Sequence, residues 1–131
     1  MTTLNDLTDL YRQEIDISEF TCIPDGLFEK VKAELASLRA ACKNLKQNSD
    51  ELDKAFALSE SITWTLQDLL EHRGMKVLRA AEYHARTGDR VDLTGALEQE
   101  KIAYNQIVDR LQIMYEQGYK VAGVRVEQNI P

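Results

Sequence analysis

Apolar residues along this chain recur at helical spacing almost from end to end. Leu4, Leu7, Leu10 and Tyr11 share one face of a first short helix, predicted from about Leu4 to Glu14 with Thr3 as its N-cap. The stretch IDISEFTCIP then reads as an extended connector whose Ile17, Phe20, Cys22 and Ile23 tuck against the helices. Pro24 and Asp25 supply the start of a second helix, in which Phe28, Val31, Leu35, Leu38, Cys42 and Leu45 follow at spacings of 3, 4, 3, 4, 3. That is a heptad seam, the narrow stripe of a helix lying almost parallel to a neighbour. The loop KQNSD ends it. A third helix is predicted from Asp50 to Thr87, capped by Ser49 or Asp50 and stopped by Gly88. At the standard rise per residue it is about 55 Å long, enough to span a whole bundle. After the loop DRVDLTG a fourth helix is predicted from about Gly95 to Gln117, with Thr94 as N-cap and Gly118 as its stop. Its seam is Leu97, Lys101, Tyr104, Val108, Leu111 and Tyr115.

The period changes in the tail. Val124 and Val126 alternate with Arg125 and Glu127, a strand signature, and a lone strand needs partners. The predicted architecture is therefore all-α: a four-helix bundle-like domain over 1–118 with one long central helix, then a short extended segment. Residues 119–131 read as a linker into a β domain that the chain lacks.

Composition narrows the function classes. A chain of 131 residues forms one domain with a real core, and 29% charged residues fit an ordinary globular chain. Net charge is −6 and the pI about 4.9, which argues against nucleic-acid binding by the surface as a whole. Cys22 and Cys42 form no CxxC and are expected to be free thiols of a cytoplasmic protein. No apolar run of membrane-spanning length exists, so no membrane is expected among its partners.

The charge is unevenly spread. The segment EHRGMKVLRAAEYHARTGDR holds Arg73, Lys76, Arg79, Arg86 and Arg90, five of the 16 Lys and Arg, against Glu71, Glu82 and Asp89. At about 100° per residue, Arg73 falls at the centre of the third helix's apolar face, among Ile62, Leu66, Leu69, Leu70, Val77, Ala80 and Ala81. His84 shares that face and Lys76 sits at its edge. Arg79, Arg86 and Arg90 lie on another side, near Glu82, and read as a solvated face or a candidate nucleic-acid face. Neither Arg73 nor Lys76 has an acid at i±3 or i±4, and an unpaired charge on an apolar face is expensive. Arg73 should therefore meet a carboxylate of another helix or another chain, with Glu98, Glu100 and Asp109 as candidates. Three roles fit it: an internal pair, a subunit interface, or nucleic acid. Trp64, Met75 and Leu78, opposite the main face, form a second apolar patch, either a core contact with the first helix or a subunit contact.

Signatures of catalysis are missing. There is no GxxxxGK[ST], no GxGxxG after a strand and no HExxH. His72 and His84 point to different sides of one helix, so no shared metal site is expected, and His84 reads as a core histidine. Cys42 falls in the second helix's seam and reads as core rather than nucleophile. No catalytic residue, metal or cofactor is expected.

Three stretches together resemble the helical domain of an archaeal GINS replication-complex subunit. IPDGLFEKVKAELASL looks like the family's Ile/Leu-Pro-acid opening of its second helix. In LLEHRGMKVLRAA, Arg73, Lys76, Val77 and Ala80 match an R-x-x-K-Ile-x-x-Ala pattern. In LEQEKIAYNQIVDRL, Glu100 and Tyr104 match a Leu-x-x-Glu-x-x-x-Tyr helix. GVRVEQNIP is similar to the link into that family's β domain. The resemblance implies a non-enzymatic scaffold of the replisome, found in the cytoplasm at the nucleoid. It would form dimers or tetramers with other GINS subunits and help to link the MCM helicase with a RecJ-like protein, with primase or polymerase as further partners. It favours an interface or ion-pair role for Arg73, Lys76, Glu100, Tyr104, Leu111 and Tyr115. Arg79, Arg86 and Arg90 remain the candidate nucleic-acid face.

Overall fold

A computed structural model describes residues 2–46 and 49–124. It is all-α, with four helices in the order α1 (Thr3–Asp16), α2 (Leu27–Asn44), α3 (Asp50–Thr87) and α4 (Glu98–Val121). No strand occurs among the described residues. The strand expected around Val124–Glu127 falls, after Val124, outside them, as do positions 47 and 48 of the loop before α3.

Local chemistry sets the helix ends. Thr2, not Thr3, caps α1: its hydroxyl accepts from Asn5 N–H at 3.1 Å, while Thr3 is the first helical residue and is buried. α2 starts after the Pro24–Gly26 turn, with Gly26 in the left-handed region. Ser49 caps α3 through Leu52 N–H at 3.1 Å. Gly88, with φ of +83°, closes α3 by donating to His84 O at 2.7 Å. α4 begins three residues later than expected. The Thr94 hydroxyl donates to Asp92 instead of capping a helix, and the Glu100 carboxylate reaches back to accept from Leu97 N–H at 2.7 Å. α4 also runs through Gly118 to Val121, so the expected boundary at 118 lies inside a helix.

α3 is the spine. Thr3 bonds Glu34 and Lys30 bonds Asp6, so α1 and α2 are antiparallel. They enclose α3's first half in one apolar cluster of Leu7, Leu10, Leu27, Val31, Ile62 and Leu69. The loop after α3 runs back along it. α4 then sets off in the same general sense as α3, its residues 100 and 104 meeting 73 and 84 in that order. α4 packs on α3's second half through Phe20, Val77, Ala80, Ala81, Tyr104 and Val108. Each large side chain so buried contributes on the order of 1.5–3 kcal/mol. α4 packs on no other helix: it shares no close backbone approach with α1 or α2.

Some predicted seam residues fall short of the core. In α2 only Leu27 and Val31 are buried, and Phe28, Leu35, Leu38, Cys42 and Leu45 are half-buried. Leu70 and Lys101 are exposed. Two apolar grooves lie along α3, one beside α2 and one beside α4. One, of ≈ 410 Å³, is lined by Phe28, Leu35 and Leu66. The other, of ≈ 700 Å³, is lined by Leu70, Gly74, Met75, Leu78, Ala103 and Ile107.

Candidate functional site: a buried ion network on the long helix

Arg73 sits at the level where the two apolar clusters meet, and it is 0% exposed. Its guanidinium has five N–H groups, and each finds an acceptor. Nε donates to Glu100 Oε2 at 2.8 Å. One Nη1 hydrogen goes to Glu14 Oε1 at 2.6 Å and the other to Thr21 O at 2.8 Å. Nη2 donates to Glu100 Oε1 at 2.6 Å and to Gly95 O at 3.0 Å. The Glu100 pair is the bidentate fork that arginine makes best. The Phe20 ring covers the guanidinium, its centroid 5.3 Å away.

Lys76, one turn on, is arranged the same way. Its three hydrogens reach Glu14 O at 2.7 Å, Glu14 Oε2 at 2.5 Å and Glu19 O at 2.7 Å. Thr21 completes the shell of Glu14, donating from N–H at 3.2 Å and from its hydroxyl. The group thus holds two cations and two carboxylates, balanced and with every donor used. No buried side-chain nitrogen or oxygen among the described residues lacks a partner.

The electrostatics follow from that geometry. Burial alone would raise the Glu14 carboxyl. The hydrogen bonds from Lys76, Thr21 and Arg73 together outweigh it and hold the group below its ordinary range. For Arg73, burial works against the charge, and the Glu100 and Glu14 carboxylates more than offset it.

Close packing places the loop that closes the site. Gly95 has φ of +90°, and a Cβ there would lie 2.4 Å from Phe20 O. Only glycine lets the connector and this loop touch while Gly95 O turns toward Arg73.

The predicted residues distribute as follows. Of the candidate carboxylates, Glu100 meets Arg73, whereas Glu98 and Asp109 do not. Glu14 was not among the candidates. It could have been found from the sequence, because it continues the apolar stripe of Leu7, Leu10 and Tyr11 as an acid where an apolar residue is expected. Tyr104 is wholly buried one turn beyond Glu100. Its hydroxyl accepts from Val91 N–H at 3.1 Å and lies 2.6 Å from His84 Nδ1, to which it donates when the imidazole proton is on Nε2. Leu111 and Tyr115 are half-buried further along α4 and lie outside the network.

Arg79, Arg86 and Arg90 are exposed and lie apart from it, Arg86 stacking over Tyr83 at 5.8 Å. Glu82 makes no ion pair with them among the described residues. Trp64, Met75 and Leu78 are 59%, 46% and 48% exposed, so their patch is not a core contact with α1.

Chemically, the network is a structural clamp. It ties α1, the connector, the α3–α4 loop and the start of α4 to one helix, and Arg73 and Lys76 have no hydrogen left to offer a ligand. Among the described residues no three His, Cys, Asp or Glu side chains gather as a metal site, and no helix is long and apolar enough to cross a membrane. Compared with known protein families, with curated proteins and with solved structures, the chain matches none.

Proposed function

We propose that this domain is a non-enzymatic scaffold resembling the helical domain of an archaeal GINS subunit, and that it acts by holding other replication proteins together. In this reading it binds further GINS subunits and helps to link an MCM helicase with a RecJ-like protein. The observation that carries it is the contrast between the chain's inside and its outside. The charged cluster, where catalytic chemistry would be sought, is saturated by internal partners. The outside of α3 shows large apolar side chains to solvent, the mark of a protein-binding surface. The R-x-x-K and Glu-x-x-x-Tyr residues of the resemblance then serve to build the domain, and its binding surfaces lie elsewhere.

The test is direct binding. The purified chain should bind an archaeal MCM helicase or RecJ-like protein with a dissociation constant in the micromolar range or tighter, about −8 kcal/mol. Absence of binding to both, and to other GINS subunits, would end this reading.

One observation favours a second reading, a nucleic-acid-contacting regulator. Arg79, Arg86 and Arg90 stand exposed without carboxylate partners among the described residues, and Tyr83 offers a ring for stacking. It requires binding to single- or double-stranded DNA at about 50 mM salt that falls steeply as salt rises and weakens in Arg86→Ala.

A further inference from the structure

The outer side of α3 carries a repeat of its own. Trp64, Asp68, Glu71, Met75, Leu78 and Glu82 follow at spacings of 4, 3, 4, 3, 4 and all are exposed. A seam with that spacing is straight and fits another helix laid nearly alongside it. Neither α1, α2 nor α4 covers it. Its middle is apolar at Met75 and Leu78, which also form a wall of the ≈ 700 Å³ groove that continues through Leu70 and Gly74 to Ala103 and Ile107.

The charges along this face are sorted by sign. Toward the N-terminus lie Glu60, Asp68 and Glu71. Toward the C-terminus lie Arg79 and Arg86, with Glu82 the one acid between them. A face that is acidic at one end, apolar in the middle and basic at the other is complementary to itself when turned about a twofold axis. This sorting also accounts for the basic segment of an acidic chain. Arg73 and Lys76 are spent inside the fold, and two of the three basic residues left outside, Arg79 and Arg86, form one end of this face.

We infer that α3 pairs antiparallel with the α3 of a second copy of this chain, the two helices crossing at Met75. In that register Glu71 faces Arg79 of the second copy, Trp64 faces Arg86, and the two Met75 side chains meet on the axis. Gly74 beside them has nothing within 4 Å of where a Cβ would stand, which leaves room for a partner side chain at the crossing. Asp68 falls opposite Glu82, the one like-charge pair of the arrangement. The inference rests on the scaffold reading only in that the domain works through protein contacts; it adds the surface and the partner.

Sedimentation of the full chain at low salt, over concentrations from about 1 to about 200 µM, tests it. The expected result is a reversible dimer whose association depends on the Glu71–Arg79 contacts and on the Met75 crossing. Each contact occurs twice across the axis, so Glu71→Arg or Arg79→Glu should weaken association about tenfold or more. The double variant Glu71→Arg/Arg79→Glu should recover most of that loss, and Glu82→Lys should tighten the dimer. All four are exposed-residue changes, and unchanged circular dichroism confirms that each variant is folded. A monomer at every concentration, a dimer indifferent to Met75→Glu, or a charge swap without recovery overturns the proposal. A monomer that still binds the helicase removes this inference and leaves the scaffold reading intact; a dimer that binds no replication protein does the reverse.

Discussion

Glu14 is the residue on which the interior depends most, because it faces two buried cations at once. Truncating one member of a buried ion pair leaves the other charge uncompensated, which costs about 3–5 kcal/mol, far more than the pair contributes against an apolar replacement. Glu14→Ala should lose at least that much stability in urea denaturation, since both Arg73 and Lys76 would be stranded. The two changes should not add: in Glu14→Leu/Arg73→Met, which also leaves Lys76 and Glu100 without their partners, the combined loss should still fall short of the sum of the single losses. Arg73→Lys should behave as a severe change despite keeping the charge, because an ammonium cannot make the fork to Glu100 and also reach Thr21 and Gly95. The direction of the Glu14 shift also fixes a pH dependence. Its carboxyl is depressed in the folded state, so it binds protons more readily when unfolded, where a glutamate titrates at about 4.3. Its stabilising contribution is therefore complete above that value and is lost as pH falls through the lower, folded-state value. Urea midpoints taken from neutral pH downward should drop steeply in this acid window, and Glu14→Gln, which is destabilised throughout, should show a shallower drop there.

At the scale of elements, the two glycines bracketing Arg73 in space give opposite expectations. Gly95 needs a left-handed backbone and touches Phe20 O, so Gly95→Ala should strain the loop and pull Gly95 O from Arg73. The expected loss is about 1–3 kcal/mol. Gly74 is an ordinary helical residue with open space beside it, so Gly74→Ala should raise monomer stability by up to about 1 kcal/mol. Thermal melts of the two variants decide both. The helices themselves were largely legible in the sequence. α3 runs from Asp50 to Thr87 as read, because Ser49, a long 3.6-residue period and the closing Gly88 all agree. α4 was legible in its seam and less so in its ends. Thr94 looks like a cap, yet its hydroxyl is taken by Asp92, and Gly118 looks like a stop, yet nothing competes with the helix there. The Arg73 problem was visible as a cation in an apolar stripe. The other half of its answer left a fainter sign: Glu14, 59 residues away, is an acid at the position where the first helix's apolar stripe would continue.

For the molecule as a whole, the network's importance lies in what it joins. α1 and α2 close one apolar cluster over the first half of α3, and α4 closes another over the second half. Since α4 packs on neither α1 nor α2, the halves are joined through α3, through Phe20 of the connector, which packs in the second cluster, and through Arg73, which holds Glu14 from one side and Glu100 from the other. Two clusters on a shared helix are two potential units of local opening, and the clamp makes them act as one. Hydrogen exchange can separate the two arms. In the intact chain, amides of α1 and of the first turns of α4 should open with similar free energies. Glu100→Gln removes the fork and weakens the carboxylate cap of Leu97, so exchange should accelerate across α4 and the loop before it while α1 and α2 stay protected. Glu14→Gln should reach further. It loosens α1 and the connector directly, and through Thr21 and Phe20 it removes the floor under Arg73, so protection should fall on both sides of the joint. Equal, uniform acceleration in both variants would mean that the chain unfolds as a single unit whatever the clamp does. The asymmetric pattern would show that the ion network helps to hold the two packing units together, leaving the outer face of α3 rigid enough to present its sorted charges to a partner.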